Sequence, residues 1–277
     1  MTVRLDSAPT TRRSLTAGIV LGASALLLVV TNAWGERLRD SYDLKLRYPP
    51  LYARPELHFG VATIAAFLVG AALVATLPKI AERAKWNVAL AVAGLGSILW
   101  TVALNATRGL SMLWSPLETR HDSLNDVAAA HDPFAFLRDF NANFDSFTTH
   151  TRGHPPGFVF VLSMLDRIGL GGARPATFVC IVVAGVGVAS VMVAVKDVAG
   201  EATACATLPF LVLAPAALTI GTSADAFFAG IGAVAVACIV RAVTRTRTRT
   251  RTRGLAIAGG IGLGLTMSAR TARRCSR

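Results

Sequence analysis

Apolar runs of about twenty residues recur along most of this chain, separated by polar connectors. The first three are Leu15–Trp34, His58–Leu77 and Trp86–Leu104. After a long polar gap come Pro175–Val195, Ala202–Ile220 and Ala226–Val243, and then a shorter run, Gly254–Met267. About 20 apolar residues in a helix span a hydrocarbon core of roughly 30 Å. A helix also satisfies its own backbone polar groups there. The pattern predicts an all-α fold: a polytopic membrane helix bundle of about seven spans. Leu15–Trp34 reads as an uncleaved first helix, because the apolar part of a signal peptide is only about 7–15 residues.

Composition agrees with this reading. The chain is 53% hydrophobic and 16% charged, whereas soluble domains carry about 25% charged residues. The net charge of +12 is a property of one segment, since residues 241–277 hold ten arginines and no acid. Basic residues beside membrane helices orient a chain. The expected partners are therefore membrane lipids, and no nucleic acid. The four cysteines (Cys180, Cys205, Cys238, Cys275) lack metal-type spacing, and those within apolar runs read as small hydrophobes.

Charge also predicts the topology. Met1–Ser14 and Pro78–Lys85 are net basic and are expected in the cytoplasm. Gly35–Leu57 reads as a polar connector, its Tyr48-Pro49-Pro50 blocking helix continuation. The polar segment Asn105–Gly157 then emerges on the extracytoplasmic side, with short interfacial helices expected within it. Phe158–Leu170 is 13 residues long and is interrupted by Asp166-Arg167. If it crossed, the Arg-Thr run Arg245–Arg253 would lie outside, against the positive-inside rule. It is therefore expected in the outer interface, which puts Gly221–Asp225 on the same side as the long loop. Three regions follow: two leading helices in 1–85, a core in 86–243 and a tail in 244–277. Gly254–Met267 gives way to the basic Ser268–Arg277, and the expectation is that the chain is the N-terminal part of a longer membrane protein.

Candidate chemistry concentrates in the long loop, which holds six acids, four arginines and four of the five histidines. Connections are usually about 4–6 residues, and much longer ones are functional or disordered. Glu118, Asp122 and Asp126 are spaced by four and could share a helical face. Such a face could supply a general base or oxygen ligands for a divalent cation; no other cofactor is implied. Asp132, Asp139 and Asp145 read as caps and turns. Five phenylalanines (Phe134, Phe136, Phe140, Phe144, Phe147) suggest that one side of the loop rests on lipid or protein. The loop closes on His150-Thr151-Arg152-Gly153-His154-Pro155-Pro156-Gly157. His150 and His154 have a metal-pair spacing, although Gly153 and the prolines argue against a helix there. Asp225 stands at the head of a span, where it suits either a functional site or a helix N-terminus. Pro209 and Pro215 are expected to kink the preceding span and to shape a cavity.

The arrangement resembles a known group. A span, an outside loop with early acids, a His154-Pro155-Pro156-Gly157 close, a short apolar stretch, two spans and a later proline followed by Asp225 look like the N-terminal half of GT-C type membrane glycosyltransferases. These depend on polyprenyl-phosphate sugars and include the protein O-mannosyltransferase group. The resemblance covers about Trp86–Leu265. It implies a catalytic acid early in the loop, often within an adjacent Asp-Glu pair. This chain has no such pair; Asp122 is the first match, with Glu118 and Asp126 as alternates. The resemblance further implies a polyprenyl-phosphate sugar donor and an inverting transfer. Asp122 would deprotonate the acceptor hydroxyl. Arg152 and His154 would stabilise the departing phosphate, with His150 and Asp225 also on the substrate side. The competing reading is a non-catalytic membrane protein or a degenerate fragment. A transporter subunit fits less well, because the spans are nearly free of ionisable groups.

Overall fold

The computed structural model describes residues 10–42, 59–244 and 248–267. The expectations for Tyr48-Pro49-Pro50, the first nine residues, Cys275 and Ser268–Arg277 lie outside the described residues. The described residues are mostly helical and contain no strand. Five helices are long and apolar enough to cross a membrane, which fits an integral membrane protein.

The chain divides into two compact units, Met1–Leu57 and His58–Arg277. The first contains α1, Thr10–Tyr42. This helix runs past the apolar stretch and through Gly35–Tyr42, where a connector was expected. Glu36, Arg37, Leu38 and Arg39 are competent helix formers, and no proline lies between Pro9 and Pro49.

The second unit is a bundle built on α2 (Val61–Arg83), α3 (Trp86–Asn105), α7 (Ala173–Ala199) and α10 (Ala224–Thr244). The shorter α4 (Pro133–Asp139), α5 (Thr149–Gly153) and α6 (Gly157–Arg167) belong to the loop and its exit. Close approach through glycines sets the packing. A Cβ on Gly94 of α3 would sit 3.3 Å from the Gly185 carbonyl oxygen of α7, and one on Gly187 would sit 2.6 Å from Gly230 Cα of α10. Small residues at such crossings let apolar helices gain van der Waals contact where lipid offers no hydrophobic drive. A buried core of Leu73, Leu77, Ala89, Ala93, Met192 and Leu208 joins α2, α3 and α7 to the next helix, α8 (Glu201–Val212).

The expected span Ala202–Ile220 is not one helix. It breaks after Val212 and resumes as α9, Ala216–Ile220. Pro215 has no N–H for the Leu211 carbonyl, and its ring crowds that group. Pro209 sits inside α8 without ending it. The break borders a small apolar cavity of about 190 Å³, lined by Leu211, Ala214, Ala217 and Gly221 with Thr101 and Gly230. At α9, Asn105 Nδ2 donates to the Ala217 carbonyl at 2.9 Å. The broken helix thus carries the chain from the Lys196–Glu201 pair at one end of the bundle to the end of α3 at the other.

Phe158–Leu170 does not run the length of the bundle. Its helix, α6, is 11 residues long, and both its ends lie at the loop end. Ser163 Oγ donates to the Ala130 carbonyl at 2.5 Å, and Arg167 donates to the His131 carbonyl. At the opposite end, Arg241 Nε of α10 lies 2.8 Å from the buried Asp197 carboxylate of α7. There the chain turns into α11, Arg249–Met267, which begins within the Arg-Thr run, five residues before the expected apolar start.

Candidate functional site

The long loop is a folded layer of short 3₁₀ turns and helices. Two aromatic and aliphatic clusters fasten it. Phe136, Phe140 and Phe147 are buried with Ala130 and Val159, with Phe140 stacked on Phe147 at 5.1 Å. Phe134 is 70% exposed and meets Phe160 edge-on. Below them, Leu117 is buried with Phe158, Leu162, Ala176 and Phe227. Thr177 Oγ1 donates to the Leu113 carbonyl at 3.2 Å, and the Arg174 guanidinium lies 4.8 Å from the Trp114 ring centre. Asp132 caps α4 as expected, accepting from the Phe134 and Ala135 amides at 3.1 Å each. These two N–H bonds hold its carboxyl below the usual range.

Glu118, Asp122 and Asp126 do not share a helical face. Ser115–Glu118 and Ser123–Asp126 are separate 3₁₀ turns, and both Thr119 and Asp122 are extended between them. Glu118 is exposed and lines a separate cleft of about 370 Å³ with Asn125 and Asp166. Asp122 and Asp126 are both buried, 6% and 7% exposed, and each turns to a different partner in the loop's closing segment.

Asp122 caps its turn, accepting from the Ser123 amide at 2.7 Å through Oδ1. Its other oxygen, Oδ2, lies 3.3 Å from His150 Nδ1. Burial pushes the Asp122 carboxyl up from its ordinary value, against the pull of the His150 charge and the Ser123 amide. The His150 side chain is 47% exposed, and its Nδ1 faces the buried carboxylate. Asp126 instead accepts from Thr148.

A single helical turn does form over Thr149–Gly153, contrary to expectation. The prolines act only on His154, which is extended (φ −121°, ψ 162°) as a residue before proline should be. His154 Nδ1 lies 2.8 Å from the His150 carbonyl oxygen, and Nε2 lies 3.0 Å from Asp225 Oδ1. The carbonyl can only accept, so Nδ1 donates. A proton must then sit between Nε2 and the Asp225 carboxyl, on one or the other. Phe228 stacks on the His154 ring at 5.9 Å and 10°. The two histidine rings are 6.2 Å apart, each with its own carboxylate. Arg152 is exposed on α5. Among the described residues, no three His, Cys, Asp or Glu side chains converge as metal ligands.

The structure therefore gathers Asp122, His150, His154 and Asp225, with Asp126 behind them, and leaves Glu118 aside. Sequence reasoning missed Thr148 and Phe228. Thr148 binds an acid 22 positions earlier, a pairing that no local pattern carries. Phe228 was readable only as part of the aromatic pair Phe227-Phe228 following Asp225.

An apolar groove of about 560 Å³ starts beside this group. Its walls include Pro156, Gly157 and Phe160 on one side and Phe227, Phe228 and Ile231 on the other. His154 stands at its rim, stacked on the wall residue Phe228 and bonded to Asp225. No family model, no curated protein and no solved structure matches the chain.

Proposed function

We propose that the protein is an integral membrane glycosyltransferase of the GT-C type, moving a sugar from a lipid-phosphate donor to an extracytoplasmic hydroxyl. The observation that carries the reading is the juxtaposition of two histidine–carboxylate pairs with an apolar groove. A lipid-phosphate sugar is itself divided that way: an apolar chain, an anionic link and a polar reacting centre. The aromatic and aliphatic walls of the groove suit an isoprenoid tail. His154 at the rim, with Arg152 two residues earlier, suits the phosphate. The arginine-rich end of the bundle belongs in the cytoplasm, which turns the loop outward.

In this reading His150 is the base, and the buried Asp122 orients its ring. The Asp122 carboxylate, 3.3 Å from Nδ1, favours the proton on that nitrogen and leaves Nε2 to take the acceptor's proton. The freed oxygen attacks the anomeric carbon from the face opposite the phosphate. As that bond forms, the carbon–oxygen bond to phosphate breaks, and its electron pair stays on the phosphate. Arg152, with the proton-sharing His154–Asp225 pair beside it, stabilises the charge that develops. A single displacement inverts the anomeric configuration.

The test is transfer by the full chain, reconstituted in vesicles with a polyprenyl-phosphate sugar. Asp122→Ala and His150→Ala should each reduce transfer by about 100-fold or more while insertion is unchanged. Full activity in both variants would sink the assignment.

A further inference from the structure

Asp126 is buried, and its carboxylate turns to Thr148. Its Oδ2 accepts two bonds from one residue, the Thr148 amide at 3.0 Å and the Thr148 hydroxyl at 2.8 Å. Thr148 is the residue from which α5 starts, and Thr151, one turn on and 2% exposed, has its hydroxyl 3.3 Å from that of Thr148. Two further contacts fix the turn: the His150 amide donates to the His121 carbonyl at 3.0 Å, and the Thr148 hydroxyl lies 3.4 Å from the Asp122 carbonyl oxygen. His121 precedes Asp122, so these contacts set the first turn of α5 against the segment that carries Asp122. A helix of five residues cannot hold itself, because its few internal bonds do not offset the cost of nucleation. Where α5 sits is therefore decided by its ties, and the buried Asp126 carboxylate supplies two of them. Both histidine pairs depend on that seat. His150 faces Asp122 from α5, and His154 is oriented by the His150 carbonyl.

We infer that Asp126 is a positioning residue: by holding Thr148 it seats α5, so that His150 faces Asp122 and His154 faces Asp225. This rests on the proposed transfer only in naming what the seat serves. The structural claim concerns the histidines alone.

Because both Thr148 bonds land on one oxygen, an asparagine at 126 can keep both through its carbonyl oxygen, whereas an alanine keeps neither. That separates positioning from proton transfer. The experiment uses the full chain in micelles, with ¹⁵N-labelled histidine, and records the imidazole nitrogen shifts alongside transfer. Asp126→Asn should leave the His150 Nδ1 signal at its parent position and transfer within about twofold. Asp126→Ala should move that signal toward a free imidazole and lower transfer by up to about 100-fold, the scale of a misplaced catalytic group. Thr148→Val keeps the amide bond and deletes the hydroxyl, and should fall between them. The inference is overturned if the His150 signal stays put in both Asp126→Ala and Thr148→Val. It is also overturned if Asp126→Asn abolishes transfer with the signal unmoved, which would make Asp126 a group that touches the reactants. If the parent transfers no sugar, the transferase reading fails, and the histidine shifts still decide the role of Asp126.

Discussion

His154 Nε2 and Asp225 Oδ1 meet at 3.0 Å across 71 positions of the chain. The bond ties the end of the long loop to the head of α10. Because Nδ1 is already committed to the His150 carbonyl, the Asp225 contact holds only with a proton between imidazole and carboxyl. The N-terminal end of α10 adds its own partial positive charge beside Asp225. The carboxylate thus serves as first-turn residue and as partner at once.

The pairing should appear as coupling between the two sites. His154→Ala and Asp225→Ala are each expected to lower the thermal midpoint in detergent, and the double variant to lower it by less than the two together. Asp225 is 62% exposed, so the coupling should be modest, about 0.5–1 kcal/mol. Strict additivity would mean that the two side chains do not hold each other. Asp225→Asn supplies its own N–H to Nε2, and should preserve the joint without an added proton.

Asp122 gives a pH signature of defined sign. Its carboxyl lies above the ordinary value of 3.8, chiefly because burial disfavours the charged form. An acid raised on folding stabilises the fold while it is protonated in both states. That contribution is lost as pH rises from the unfolded value through the folded one. Relative to Asp122→Asn, the parent should therefore lose stability as pH climbs above 3.8. The opposing pull of His150 limits the loss. Thermal midpoints of the two proteins from acid to neutral pH check this, and parallel curves would contradict it.

The helical architecture was legible in the sequence because bilayer thickness imposes one length on every span. Trp86–Leu104 and Ala226–Val243 were read within two residues of the observed helices. The basic Arg-Thr run likewise anticipated that α6 stays at the loop end and that Asp225 shares that end with His154. Breaks were harder to read. Pro209 and Pro215 look alike in sequence, but only the second interrupts a helix. Nor did hydropathy reveal that α1 continues into charged residues or that α11 begins on arginines. Charged side chains at the end of a span can remain helical while reaching for the interface.

The site was legible residue by residue and not as an arrangement. Asp122, His150, His154 and Asp225 were all candidates, yet a spacing of four suggested a helical face that two extended residues, Thr119 and Asp122, abolish. Which acid meets which histidine depends on how the intervening chain folds, over 71 positions for His154 and Asp225. Local periodicity holds no information about that closure.

Asp132 offers a local test of the loop's order. Its carboxylate holds the Phe134 and Ala135 amides, and those bonds keep its pKa below the ordinary value. An acid lowered on folding stabilises above its unfolded value, and that contribution is lost as pH falls through the folded one. Asp132→Ala should speed hydrogen exchange at Phe134 and Ala135 while leaving the exchange of α7 amides unchanged. Acidification of the parent should reproduce the same local pattern. Protection at both amides in the alanine variant would remove the cap from this account.

The contact between α7 and α10 sets the base on which the site rests, and two nearby glycines separate packing from propensity. A Cβ on Gly230 would fall 2.3 Å from the Val183 carbonyl oxygen, whereas one on Gly232, two residues along the same helix, would meet only Thr266 Cγ2 at 3.9 Å. Backbone atoms cannot rotate aside, so Gly230→Ala must part the helices. A cost of about 1–3 kcal/mol or more is expected. Gly232→Ala adds helix propensity at an open position and should be neutral or stabilising by up to about 1 kcal/mol. Because Phe227 and Phe228 lie on the same helix, parting it from α7 should also disturb the ring stacked on His154. Thermal midpoints of the two variants, with the His154 imidazole signal as a second readout, check the assignment. Equal tolerance at both positions would show that α7 and α10 do not meet at Gly230.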